Sequence, residues 1–377
     1  MVATIMKTLG YTLLIIAVAA GSGCAKSKNK DMITVTDYLK ADGKTDVADT
    51  IQKIIDANPN RTIYFPDGTY LISKPICTPA EPSKSVSLKL ADYAVIKASE
   101  NWDSDEAMIR LGGKDPFNNI TTNGSNYSLT GGIIDGNLPN ESTKSVTGVS
   151  IDSGRETAVR NVSIKHVKVG IHIKYGANNG SSDADISHVN IVGTAAEDSV
   201  GVIIEGFDNT LTDMRIGHVY TGVHIKSSGN SLKNIHPLFV GPDTKYNEKS
   251  CGFLIDMPDN WLIYCYSDQF AVGFRFTSSL ASSCTMESCF TFWYSNLDFM
   301  EHVAVQAMEK FNTVVSGMTM GFVGDHTVLK TKNTLLKVGE KGGCGVMQRV
   351  RAPEEALNNP AEEKYKEYIT DKLLFRE

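Results

Sequence analysis

Residues 201–226 read GVIIEGFDNTLTDMRIGHVYTGVHIK. A glycine followed by alternating apolar residues opens the stretch at Gly201, with Val202 and Ile204, and returns at Gly222, with Val223 and Ile225. The signature also stands at Gly148, Gly170, Gly252 and Gly273, and the intervals from Gly148 onward are 22, 31, 21, 30 and 21 residues. Every second glycine is 53, 52, 51 and 51 residues apart, so the repeat is a pair of coils, one short and one long. A fixed period of this kind marks a solenoid, which buries its apolar residues by stacking coil on coil.

Alternation after each glycine means strand, as in Ile171 and Ile173 or Phe274 and Phe276. A second strand lies upstream in each coil, at Val162, Ile164 and Val167 and again at Met214, Ile216 and Val219. Short strands with Gly, Asn, Ser and Asp corners predict an all-β parallel β-helix. A leucine-rich horseshoe would carry its own Leu and Asn spacing, and a propeller a longer blade. Past Phe276 the glycine signature fades and helix-like residues run from Glu301 to Phe311. Hydrophobic residues make up 41% of the chain and the net charge is −6, a balance that indicates neither disorder nor nucleic-acid binding.

The first residues form an address. Lys7, an apolar run from Leu9 to Ala20 and Gly-Ser-Gly-Cys at 21–24 fit a bacterial signal peptide, too short for an ordinary membrane span. The stretch resembles a lipobox, which implies cleavage before Cys24, lipidation of its thiol and a membrane-anchored outer-membrane or periplasmic protein. A plain secretory signal is the alternative. The organisation expected is a signal at 1–23, a tether at 24–34, the β-helix at 35–351 and a helical tail at 352–377. Six further cysteines, Cys77, Cys251, Cys265, Cys284, Cys289 and Cys344, read as buried small hydrophobes or, in an oxidising compartment, as bridges between coils.

Residues 37–52 read DYLKADGKTDVADTIQ and residues 62–76 read TIYFPDGTYLISKPI. With GGIIDGN at 131–137, these segments resemble the opening of the pectate-lyase-like, rhamnogalacturonase and epimerase-like group of right-handed parallel β-helix proteins. The resemblance implies a carbohydrate ligand, a polysaccharide or oligosaccharide. It carries over no catalytic residue: neither the paired Asp and His signature of polygalacturonase-like relatives nor the calcium-binding acid cluster of pectate lyases is recognisable. Locally, Thr50 or Asp49 would cap a helix from Ile51 to Ala57 that closes the first coil, and Pro66-Asp67-Gly68 is turn chemistry. Asn359-Pro360 with Glu362, then Tyr365, Ile369 and Leu373, predict a helix over the last coil or against a neighbouring subunit.

Outward positions carry the function. Alternation places Ser150, His172, Ile203, His224, Leu254 and Arg275 in one outward column. Asp152, Lys174, Glu205, Lys226, Asp256 and Thr277 form the next. One class of coil supplies acids and the other His, Lys and Arg. Such columns suit a stabilising charge ladder or a polysaccharide groove walled by residues 193–199 and 241–250. The candidate catalytic residues are His172, Lys174, Glu205, His224, Lys226, Asp256 and Arg275. Elimination from a uronic acid needs a base and cationic groups or a metal, with calcium a candidate although no cofactor is identified. Hydrolysis needs two carboxylates, for which Glu205 with Asp256 or Asp152 has the rung spacing. The expected function is a polysaccharide lyase or glycoside hydrolase, and the alternative a non-catalytic glycan-binding or structural surface protein, with a homotrimer as a further possibility. Mutual neutralisation of Lys174, Glu205 and Lys226 would favour the alternative, and a walled cleft with an unpaired His or Lys the enzyme. The aromatic cluster of Trp261, Tyr264, Tyr266, Phe290, Phe292, Trp293 and Tyr294 is expected mostly in the solenoid interior or under the terminal helix, with any exposed member able to stack on a sugar ring.

Overall fold

In the computed structural model the described residues are 31–114, 128–176, 179–239, 249–294, 301–323, 332–340, 342–353, 356 and 367–374. The chain winds through three walls per coil. Ten parallel strands form the front wall, from Ile76–Pro79 through Ile109–Lys114, Thr147–Ile151, Val169–Ile173, Val200–Ile204, Thr221–Ile225, Cys251–Ile255 and Val272–Phe276 to Glu301–Ala307 and Lys332–Val338. A 22-stranded sheet supplies the side and rear walls. It bends where single residues take left-handed φ: Asn161, His188, Asp213, Asn234, Tyr264 and Ser288 mark successive corners. Strand Ser231–Leu238, for example, crosses from side wall to rear wall at Asn234. The fold is a parallel β-helix.

The repeated glycines stand where front and rear walls meet. A Cβ on any of Gly148, Gly170, Gly201, Gly222, Gly252 or Gly273 would lie within 3.0 Å of a neighbouring coil or the rear wall. The obstacle is partly the carbonyl of the next residue in the column, and partly a rear-wall side chain: Ile164, Ile191, Ile216, Pro237, Ser267 or Thr291. Front-wall pairing continues past Phe276, since Phe274 pairs with Val305 and Val305 with Leu336, and Ala304 and Leu335 take the glycine place. The helix-like run from Glu301 is therefore a strand, Glu301–Ala307, because its apolar residues are drawn into the stacked interior.

A second ladder runs inside the corner between front and side walls. Asn209 Nδ2 donates to Asn230 Oδ1 at 2.9 Å, and Asn230 Nδ2 donates to Asn260 Oδ1 at 3.0 Å. All three are buried, and their amides also satisfy turn carbonyls such as those of Gly206 and Met257.

The N-terminal helix spans Ala48–Ala57 and covers the first coil with Ile51, Ile54 and Ile55. Its start lies three residues before the expected one. Asp46, rather than Asp49 or Thr50, accepts the Ala48 amide at 3.1 Å, while Asp49 pairs with Lys74. At the turn after Pro66, Asp67 Oδ1 accepts the Tyr93 amide at 3.0 Å, joining two coils.

The expected tail helix is corrected at its end. Residues Ile369–Leu374 form a strand that pairs in parallel with Val346–Ala352, so backbone groups at the open edge gain partners. Asn359, Pro360, Glu362 and Tyr365 lie outside the described residues, as do the signal, Cys24 and the tether to Lys30. No helix among the described residues is long and apolar enough to cross a membrane. The six cysteines at 77 and beyond are free; Cys251, Cys265, Cys284 and Cys289 are buried, and Cys344 is exposed.

The glycine column yields a paired test. Gly222→Ala should cost about 1–3 kcal/mol by forcing the walls apart. Gly217→Ala, where a Cβ meets nothing within 4 Å, should stay within about 0.5 kcal/mol of the parent in urea unfolding.

Candidate functional site

Strand register settles which front-wall side chains are neighbours. Cys77 pairs with Arg110, Arg110 with Ser150, Ser150 with His172, His172 with Ile203 and Ile203 with His224. Leu254, Arg275, Gln306 and Lys337 continue the column. The second column follows through backbone bonds just past the strand ends, as when the Glu205 amide donates to Ile173 and the Lys226 amide to Ile204, each at 2.8 Å.

The acids of the second column are held in one repeated way. Each carboxylate takes a basic side chain from the coil before and a cation or hydroxyl from the coil after. Asp152 accepts from Arg110 Nε at 2.8 Å and lies 3.7 Å from Lys174 Nζ. Glu205 accepts from His172 Nε2 at 3.0 Å and from Lys226 Nζ at 2.6 Å. Asp256 accepts from His224 Nε2 at 2.7 Å and from Thr277 Oγ1 at 3.0 Å. Lys174 is also bonded to Glu106 at 2.7 Å, and Ser150 donates to the nearly buried Asp152.

A fourth unit begins with Arg275 and is incomplete. The place that an acid should fill is occupied by Met308, whose amide donates to Phe276 at 2.9 Å as the ladder requires. Arg275 Nε instead donates to the Gln306 side-chain oxygen at 2.8 Å, and no carboxylate pairs with the guanidinium among the described residues. A cavity of about 210 Å³ opens here, lined by Arg275, Gln306, Glu301 and Lys337.

Of the seven candidate residues, the structure groups His172, Glu205 and Lys226 in one cluster and His224 with Asp256 in the next. It sets Lys174 apart with Glu106, Arg110 and Asp152, and leaves Arg275 alone with Gln306. Residues 195–198 with Glu141 and Lys168 line a depression of about 560 Å³. No residue of either outward column lines this depression, which borders the first expected wall. Most of the second expected wall, residues 241–248, lies outside the described residues. Arg110 escaped the sequence reading because its strand, Ile109–Lys114, lacks the leading glycine. Gln306 and Met308 escaped it because their coil has Ala304 in the glycine place. No group of three His, Cys, Asp or Glu side chains that could hold a metal occurs among the described residues.

Electrostatics separates the chemistries. Burial works against ionisation of Glu205, yet hydrogen bonds from Lys226 and His172 outweigh it and hold the carboxyl below its ordinary value. The His224 hydrogen bond outweighs burial at Asp256 and lowers that carboxyl too, helped by Thr277. A hydrolytic pair needs one carboxyl protonated near neutrality, and neither of these is. With Nε2 committed as donor, a neutral imidazole carries its lone pair on Nδ1. Nδ1 of neither His172 nor His224 has a hydrogen-bond partner among the described residues.

The aromatic cluster is corrected. Of its seven members only Trp293 is interior, while Trp261, Tyr264 and Tyr294 are exposed and Tyr266, Phe290 and Phe292 half-buried. Alternation on the rear wall turns the small Ser267 and Thr291 inward against Gly252 and Gly273, which sends the rings beside them outward.

Residues 32–252 match the family described as "Rhamnogalacturonase A/epimerase, pectate lyase-like", and the chain belongs to that family. No curated protein matches its sequence. Among solved structures it is similar to an alginate lyase from Paenibacillus sp. str. FPU-7, with TM-score 0.57 and 14% identity over 78% of this chain and 98% of that one. It is also similar to the Streptococcus pneumoniae surface protein and adhesin PfbA, with TM-score 0.54 and 13% identity over 91% and 96% of the two chains. A hyperthermoactive exopolygalacturonase from Thermotoga maritima gives TM-score 0.51 and 11% identity over 86% and 87%. At these identities the likeness is one of fold.

Carboxyl groups held low by the fold contribute stability that is fully present above their ordinary values of 4.5 and 3.8 and lost as pH falls through the lower folded values. The melting temperature should therefore change little between about pH 7 and pH 5 and fall below about pH 4. Glu205→Gln should cost about 1–2 kcal/mol at neutral pH and shrink the acid-induced drop, read by melting curves across pH.

Proposed function

We propose that this member of the family acts on an acidic polysaccharide and cleaves it by elimination, with the sugar chain lying along the front-wall columns. The observation that carries the reading is Arg275, the one basic group of the repeated units whose acid is replaced, by Met308, beside an open cavity. A uronate carboxylate supplies the missing anion and anchors the polymer there; because Arg275 stands two coils, about 9.6 Å, from His224, the residue that is cleaved lies farther along the same chain. His224 Nδ1 accepts the C5 proton while Asp256 holds the ring through Nε2. The C4–O bond then breaks, C4 and C5 become doubly bonded, and the departing oxygen takes a proton from the Lys226 ammonium. His172, Glu205 and Lys174 line the groove toward the N-terminal coils. The alginate lyase and the exopolygalacturonase of like fold lend precedent to the polysaccharide class.

A second reading has its own observation. Asp152, Glu205 and Asp256 are each saturated by partners, as a purely structural ladder requires, and an adhesin shares the fold. In that reading the groove binds glycan without cleaving it.

Incubation with polygalacturonate and alginate, following unsaturated-uronate absorbance together with reducing ends, separates the two. Elimination raises both signals. His224→Ala should lower the rate at least 100-fold. Met308→Glu, which completes the fourth unit internally, should lower it at least 10-fold with the fold intact. Reducing ends without absorbance would contradict the elimination, and binding without cleavage would establish the second reading.

The proposal extends to location. The apolar run ending at Cys24 exports the chain, and a lipid on that thiol anchors it to the envelope. Replacing Cys24 with Ser should move the protein from the membrane fraction to the soluble exported fraction; unchanged membrane association would contradict the anchor.

A further inference from the structure

The rear wall carries a second constellation that the front-wall chemistry does not use. Arg215 pairs with His236 in the ladder, and Leu238 pairs with Asp268, which sets His236 beside Tyr266; Tyr266 in turn pairs with Phe290. Four planar side chains thus follow one another on consecutive coils, at about 4.8 Å per coil. The His236 and Tyr266 rings are stacked, with centroids 4.0 Å apart and planes 12° from parallel. Phe290 and Phe292 lie over Gly321, and Tyr294 meets Phe292 edge-on at 5.5 Å. Tyr294 is 49% exposed, so the platform is open to solvent at that edge.

Two polar groups beside these rings are only partly satisfied. Asp268 is 7% exposed and its Oδ1 has no hydrogen bond, while Oδ2 is 3.4 Å from His236 Nε2. Gln269 is 4% exposed, and its Oε1 accepts the Tyr294 amide at 3.2 Å while Nε2 is unpaired. Leaving a buried acceptor and a buried donor unmade costs free energy that a ligand with hydroxyl groups recovers. His236 and Tyr266 cover each other's faces, so the open surface is Tyr294 with the outer edges of the row; bordered by a carboxylate, an amide, an imidazole and a guanidinium, it suits a pyranose whose C–H face packs on the exposed ring while its hydroxyls bond in the plane.

We infer that this rear-wall platform, centred on His236, Tyr266 and Asp268 and edged by Tyr294, is a second oligosaccharide-binding site, separate from the front-wall groove. It rests on the polysaccharide reading for its ligand class and on none of the front-wall residues for its geometry. A polymer held on the rear wall raises the local concentration of its remaining length at the front, so the site acts on long chains and leaves short ones unaffected.

Affinity electrophoresis through polygalacturonate, alginate and neutral β-glucan tests it with residues 25–377, which leave out the lipidated Cys24. Tyr294→Ala and His236→Ala, alone and together, should weaken retardation at least 5-fold in a gel that retards the parent. Met308→Glu in the same gel should keep this rear-wall component, so a failed front-wall reading leaves the result interpretable. Unchanged retardation in both rear-wall variants, or no retardation of the parent in any gel, would overturn the inference. A concentration-dependent association in sedimentation that Tyr294→Ala abolishes would overturn it as well, in favour of a second copy of the chain as the occupant.

Discussion

The close approach of front and rear walls at the glycine column is the constraint on which the rest of the structure depends. Six successive coils bring backbone to within a distance that no Cβ tolerates, and each glycine carbonyl sits against the next. This contact admits one register. A slip of one residue would drive a side chain into the rear wall and turn every inward side chain outward. With the register held, side chains on the front wall stack in columns from Cys77 to Lys337, and chemistry becomes a matter of what occupies each rung.

Columns make the charge pattern cooperative. An acid between two coils can receive one partner from before and one from after, and three such units recur with different members: Arg110, Asp152, Lys174; His172, Glu205, Lys226; His224, Asp256, Thr277. Stability and function compete on this face. A saturated carboxylate stabilises neighbouring strands and gives up its role as an acid catalyst, while a base with no acid, as at Arg275, is available to a ligand.

Much of this was legible before any coordinates. The glycine spacing reports a contact every coil must make, so it survives in the sequence, and the outward columns follow by counting from it. Asn209, Asn230 and Asn260 repeat at the same intervals of 21 and 30 residues, so the internal amide ladder was present in the sequence too. It is hidden there because Asn also marks ordinary turns. The incomplete fourth unit was not legible, since it depends on Met308 falling on an acid's rung in a coil whose glycine has become Ala304. Nor was the terminal strand Ile369–Leu374: a spacing of four residues fits a helix, and only the unpaired edge of Val346–Ala352 turns that stretch into a strand. The outward rings at Tyr266, Phe290 and Phe292 defied the expectation that aromatics fill cores, because the space inside is reserved for Ser267 and Thr291 by the glycines they face.

The central claim, that a sugar carboxylate completes the unit begun by Arg275, is tested most directly by a crystal structure of the His224→Ala protein with a uronate oligosaccharide. The account predicts a carboxylate paired with the Arg275 guanidinium over Gln306, and a sugar chain running across the rungs of the front wall. A sugar seated elsewhere, with Arg275 still bonded only to Gln306, would contradict it.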